Sequence, residues 1–332
     1  MKRLGIILVM IALQVDLFGQ EGLPNVLQTY RHLPYLSPAL AGVSDFVDIN
    51  AGHGIQPLSS GQSFGSNLFS AYYSTRKQSR GKNNSFRGSG TETQDDFYAN
   101  KHTQAKLKIG FGTAFYSEGI GEFNNTYNSN TVAVHVPVAD HTYVSLGLAT
   151  GFNITRVDLA DLLVRQPNDP VYQIYQNSAG SNTYLHIDAG LGLTSIKYYF
   201  AIGINNIANQ RISGDDALDF KNPLVSNLVG GYRFFHSHNF EAIAVSTVTL
   251  QSNGEPTLWN FGVRGRINEQ VMVGVNLTSD FSIMTQLAFQ VNDILNFGYT
   301  FSTTTGTSVI SNSHEIGIGL RFLNSGNYSP LW

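Results

Sequence analysis

Few residues of this chain have the type and spacing that bond-making chemistry requires. His236-Ser237-His238 sets two imidazoles two positions apart. A metal centre needs three or four converging ligands. No third ligand of suitable spacing lies near, and the trio falls in a tight turn between two apolar runs, so it is read as a solvated turn. His186 and Asp188 share one face of a strand, because successive side chains alternate between faces. A catalytic pair there would need a nucleophile from another strand; a polar lining is the simpler assignment. Gly110-x-Gly112 and Gly317-x-Gly319 lie inside strand patterns, not at the strand-to-helix turn where backbone amides cradle phosphate. With no cysteine in 332 residues, thiolate chemistry, disulfides and a lipobox are excluded. These signals describe a non-enzymatic chain with no cofactor, catalytic or metal-site residue.

The elements around these residues are unusual in composition. Charged residues make up 13%, about half the roughly 25% of an ordinary soluble domain. Aromatics reach 12%, glycines number 33, and the formal net charge is −3, which gives no support to a nucleic-acid partner. Lys2 and Arg3 precede an apolar run from Leu4 to Leu13, and Leu17-Phe18-Gly19 offers a cleavage site before Gln20. This is the pattern of a signal peptide. About ten apolar residues are too few to span a bilayer as a helix, which takes about twenty. An exported chain without a second such run stays in a membrane only as a closed barrel.

Alternation of period two recurs along the rest of the sequence. Val144, Leu146 and Leu148 alternate with Ser145, Gly147 and Ala149; Leu185, Ile187, Ala189, Leu191 and Leu193 alternate with His186, Asp188, Gly190 and Gly192. Each segment has one apolar face and one small or polar face. That second face is rich in Gly, Ala, Ser and Asn, not in the Lys and Glu of a solvated sheet, and suits the crowded inside of a modest barrel. Fourteen segments are expected, near 45–54, 67–76, 107–117, 127–136, 141–154, 184–194, 197–205, 224–235, 239–250, 257–267, 270–278, 281–291, 294–304 and 313–323. Short turns alternate with mostly longer connections, as periplasmic turns and external loops do in such barrels. The basic, Gly/Ser-rich connection 77–104 breaks this parity. The chain thus reads as all-β, a transmembrane antiparallel barrel over 45–323. A signal peptide (1–20) and a periplasmic or lumenal segment (21–44) precede it, and a tail (324–332) follows. Glu315 to Phe322 fits the polar-x-Gly-x-x-hydrophobic-x-aromatic signal read by barrel-assembly machinery.

Facing and strand direction bring six cations toward the periplasmic mouth, pointing inward: Lys108, Lys197, Arg233, Arg264, Arg266 and Arg321. Asp48 and Glu241 are the nearest inward acids, with Asp188 at mid-height and Glu315 near the outer end. The cations form either a lumen network or a docking surface for a periplasmic or translocating partner. Aromatics near strand ends (among them Tyr72, Tyr73, Tyr116, Tyr199 and Phe261) are expected in interfacial girdles.

The stretch Gln28-Thr29-Tyr30-Arg31-His32-Leu33-Pro34-Tyr35-Leu36-Ser37-Pro38-Ala39-Leu40-Ala41-Gly42 is similar to the opening of PorP/SprF proteins, with Leu33-Pro34 and Ser37-Pro38 where that family has Asn-Pro. The motif positions are Gln28, Tyr30, Pro34, Pro38, Ala39, Ala41 and Gly42. Later stretches resemble the family in order, including Lys108 to Gly112, Leu146 to Gly151, Ala201 to Asn206, Asn253 to Pro256 and Ser313 to Ile316. The resemblance implies a Gram-negative outer-membrane protein of a Bacteroidota-type bacterium. It would support type IX secretion or the anchoring of a gliding adhesin. Outer-membrane lipid, periplasmic ring components, peptidoglycan-binding lipoproteins and a large secreted surface protein are the implied partners. The alternative is a diffusion channel or small-solute transporter. Two proline-restricted turns with Tyr30, Leu33, Tyr35, Leu36 and Leu40 give an apolar cluster without strand alternation, so this segment is expected to pack at the periplasmic end or inside the lumen.

Overall fold

The computed structural model describes residues 27–44, 46–57, 63–75, 107–121, 123–139, 142–157, 180–214, 222–237, 239–268, 270–292, 294–303 and 312–322. The expected signal peptide, the connection 77–104 and the tail lie outside them. The strands are β1 (Val47–Pro57), β2 (Ser63–Ser74), β3 (Lys108–Ile120), β4 (Phe123–Ala139) and β5 (Thr142–Val157). Next come β6 (Ser181–Thr194), β7 (Tyr198–Ser213), β8 (Val225–His236), β9 (Phe240–Gln251) and β10 (Leu258–Ile267). The last four are β11 (Val271–Thr278), β12 (Ile283–Gln290), β13 (Leu295–Thr303) and β14 (Ser313–Phe322). Each pairs antiparallel with its chain neighbours, and β14 returns to β1 from Val47 opposite Phe322 to Ile55 opposite His314. The barrel is closed, so no strand carries an edge along its full length into lipid.

Alternation sets the facing. Along β5 the pattern is almost strict: Leu146 and Leu148 are 59% and 57% exposed, while Ser145, Gly147 and Ala149 are buried. On β6, Ile187 and Leu191 point outward and His186 and Asp188 inward. Two strands run further than their alternation suggests. β4 begins at Phe123 because Asn124 to Asn130 is polar on both faces, which erases the period without breaking the ladder to β5. β7 continues to Ser213 past an irregularity opposite Ile187 and Ala189, where Asn206 adopts φ 60° and donates its N–H to Asp188.

One part of the wall is apolar on its inner face as well as its outer one. Val225, Val229, Ile243 and Val245 of β8 and β9 face inward and are buried, while Ala242 and Ala244 alternate with the two β9 residues. Val229, Ile243 and Val245 pack on Tyr30, Leu33, Leu36, Leu40 and Val43, with Tyr199, Ala201 and Met272 completing the cluster. The barrel therefore has a hydrophobic core inside its lumen, made by the N-terminal segment. Aromatics divide in the same way. Tyr73, Phe115 and Phe261 point outward, but Tyr72, Tyr116 and Tyr199 are at most 5% exposed and face the lumen, so the expected girdle keeps only part of its members.

Candidate functional site, a lumen filled by the N-terminal segment

Residues 27–44 fold as three tight pieces: a 3-10 turn Thr29–Arg31, a single helical turn Leu33–Leu36 and a 3-10 turn Pro38–Leu40. Pro34 and Pro38 stand at the starts of the second and third, where a fixed φ and a missing N–H are tolerated. Local bonds close each turn, such as Ser37 N–H to the Leu33 carbonyl at 3.1 Å and Ala41 N–H to the Pro38 carbonyl at 3.1 Å. Such short turns leave carbonyls over, and buried carbonyls need donors. The wall supplies them. Asn205 donates to Tyr35, Asn227 to Leu36, and Gln286 to Leu27, at 3.2–3.3 Å. His135 Nε2 meets the Ala41 carbonyl at 2.8 Å, and Lys108 Nζ donates to the Val43 carbonyl.

Glycines of the wall give the segment room. A Cβ on Gly147 would overlap Pro38 and Ala39; one on Gly110 would overlap the Ala41 carbonyl, and one on Gly203 that of Leu36. Across the lumen, a Cβ on Gly317 would sit 2.5 Å from Gln28 Oε1, and one on Gly298 would sit 2.6 Å from both that atom and Arg31 Nη2. Gly42, at φ 67°, lies against Gly110 and Tyr73 where the segment turns into β1. The glycine-rich strands thus form a seat on several sides of one plug.

The outer end of the plug is tied to β14. Glu315 accepts the N–H groups of Leu27 at 2.7 Å and Gln28 at 3.2 Å, and the Gln28 amide returns a bond to the Glu315 carbonyl. Arg31 donates to Gln28 Oε1 at 2.7 Å and Asn296 at 2.5 Å. His32 is buried with Nδ1 3.0 Å from Ser70 Oγ. Burial, with the Arg31 charge second, pushes its pKa down to about 3.

The six cations do not share one environment. Arg264 is buried, donates to Gln286 at 2.9 Å, and lies 4.7 Å from the centroid of the Tyr30 ring. Arg266 pairs with Glu241 at 2.8 Å, and Arg321 approaches Asp48 at 3.9 Å. Lys108 is committed to the plug through Val43. Arg233 is half-buried at a register shift in β8. Lys197 precedes β7 in the turn after β6 and is exposed at that end of the barrel.

Of the histidines, His186 Nδ1 is 3.1 Å from Asp188, and its Nε2 is 2.9 Å from the Asn128 carbonyl. Tyr127 donates to Asp188 at 2.8 Å and stacks on the imidazole at 4.3 Å, with Tyr35 of the plug edge-on to Tyr127 at 5.0 Å. Both groups are sealed in and bonded to the wall, an arrangement that braces the plug. His236 Nδ1 lies 2.7 Å from Glu241, and His238 is outside the described residues. Among the described residues no three His, Cys, Asp or Glu side chains gather as a metal site would need. The residues that sequence reasoning undervalued are the wall donors Asn205, Asn227 and Gln286. Their signal was present as amides on otherwise small lumenal faces, but their acceptors are backbone atoms, which leave no mark in a sequence.

Solved structures with similar architecture are outer-membrane barrels. The Ralstonia pickettii toluene transporter TbuX is 10% identical, with 86% of this chain and 92% of that one covered at a TM-score of 0.45. The Pseudomonas putida toluene transporter TodX is 8% identical, over 92% and 95%, at 0.45. The translocator domain of the Neisseria meningitidis autotransporter NalP is 10% identical, over 97% and 95%, at 0.42. Comparison with curated proteins finds no match. The family model for the type IX secretion system membrane protein PorP/SprF matches residues 19–320. With that match over nearly the whole length, and a closed barrel around it, the chain belongs to the PorP/SprF family of outer-membrane type IX secretion proteins.

Proposed function

We propose that this barrel serves type IX secretion as a non-enzymatic scaffold, holding protein partners at the outer membrane, and not as a route for solutes. The observation that carries this reading is the plug, whose carbonyls are met by donors on β3, β4, β7, β8 and β12. A wall shaped around an internal segment, with its polar side chains spent on that segment's carbonyls, favours a scaffold over a solute route. The partners that fit are a large secreted surface protein and periplasmic ring or peptidoglycan-binding components of the same system. The cations near the periplasmic mouth support a network reading over a docking reading, since four of them contact the plug or neighbouring acids. Two measurements test the proposal together. Planar-bilayer recordings of the intact chain should show no stable conductance. Purification from native outer membrane should bring down a protein client. A steady, solute-dependent conductance from the intact chain would replace the scaffold with a channel.

A further inference from the structure

We infer that the outer leaflet thins beside β1–β4, where the outer face of the sheet meets lipid headgroups at a depth that is hydrocarbon beside β6 and β10. The outward residues of these strands lose their apolar character early. On β1, Val47, Ile49 and Ala51 lead to His53; on β2, Tyr73, Ala71 and Phe69 lead to Asn67. On β3 the change comes between Phe115 and Ser117, and on β4 between Val132 and Asn130. Beyond that point β4 presents Asn128, Thr126 and Asn124 in succession. Ile55 is the exception above the boundary.

β6, two strands beyond β4, and β10, across the barrel, differ. β6 keeps Leu193, Leu191, Ala189, Ile187 and Leu185 outward, and β10 runs from Ile267 to Trp259. Strands rise about 3.3 Å per residue and tilt about 40° in such barrels, or roughly 2.5 Å per residue along the axis. Counted from the periplasmic strand ends, the apolar belt is then about 10–18 Å tall on β1–β4 and about 20–23 Å on β6 and β10. A belt shorter than the hydrocarbon is accommodated by thinning of the bilayer around it.

The polar residues form a surface, not scattered exceptions. In register, His53 lies opposite Asn67, Asn67 opposite Ser117, and Ser117 opposite Thr126. Directly beneath, Phe69 lies opposite Phe115, the aromatic step expected where acyl chains give way to headgroups. The occupant is lipid, on two grounds. No Lys, Arg, Asp or Glu stands among the described outward residues of these four strands, so nothing there forms an ion pair with a protein. The polar groups also bond within the wall, His53 to Asn67 at 2.9 Å and Asn130 to Asn128 at 3.2 Å. An uncharged face that satisfies itself needs no partner and tolerates a headgroup layer.

The absence of cysteine makes a matched test simple. Asn67 and Ile187 each lie seven residues above the periplasmic ends of their strands, Ser74 and Thr194. Asn67→Cys and Ile187→Cys are placed singly in the full chain and reconstituted in phosphatidylcholine vesicles with 18-carbon chains. An impermeant maleimide should label N67C several-fold faster than I187C. A polarity-sensitive fluorophore attached under denaturing conditions should be quenched by lipids brominated near the bilayer centre at I187C and not at N67C. Equal protection and equal quenching of the two sites would establish a level belt and overturn the inference. Protection of N67C from both probes in native outer membrane, but not in vesicles, would also overturn it, by showing that a protein covers this face.

Discussion

Gly147 holds its place by what it leaves empty. The backbone of Pro38 and Ala39 fills the volume a side chain would take, and a packed interior resists insertion at about 1–3 kcal/mol. Gly147→Val is expected to displace the plug while the wall stays closed, read as new protease cleavage within residues 28–42 and a lower heat-unfolding midpoint. Gly65→Ala, where a Cβ would meet nothing within 4 Å, should change neither. His32 gives the plug a pH dependence. Its docked pKa lies near 3, below the ordinary 6.5, so the undocked plug binds more protons between those values. The contribution of His32 to docking is then at full strength above about pH 6.5 and weakens as the pH falls from there toward 3. Protease access to the segment should show this acid-side rise less in His32→Gln than in the unaltered chain.

Individual strands were the best-marked elements. β5 and β6 alternate so regularly that the exposure of Leu148 and Ile187 follows from position alone, and Lys at either site is expected to cost about 2–4 kcal/mol at mid-membrane, measured by urea titration in vesicles. Lys at His186 should act differently, by breaking the contacts to Asp188 and Asn128, with a shift in plug protection accompanying any loss of stability. The upper parts of β4 and β7 were not legible, since polarity on both faces, or a kink at Asn206, removes the period while the ladder continues. The plug was legible only as an apolar stretch restricted by Pro34 and Pro38. Its three turns are too short to establish a helical period, and the donors from β3, β4, β7, β8 and β12 to its carbonyls lie 65 to 259 residues away. The aromatic residues were sorted by the same missing information: Tyr72 and Tyr73 are neighbours in sequence, yet one packs in the lumen and the other meets lipid.

For the whole molecule, a docked plug is expected to raise the heat stability of the wall it packs on. Replacing Arg264 and Arg266 by Gln removes the stacking on Tyr30 and the bond to Glu241. A lower heat-unfolding midpoint is expected, and unchanged stability with lost client attachment would instead assign these residues to docking. The plug also has a mechanical consequence. Its lower end continues through Gly42 into β1, and its upper end is held by Glu315 of β14. Those two strands meet at the one junction of the cylinder that no turn of the chain connects. The segment therefore works as a stitch across a seam. Tension on Leu27 from inside is shared between the first and last staves of the barrel, pressing them to part or hold together, so the force that empties the lumen is also the force that tests its closure.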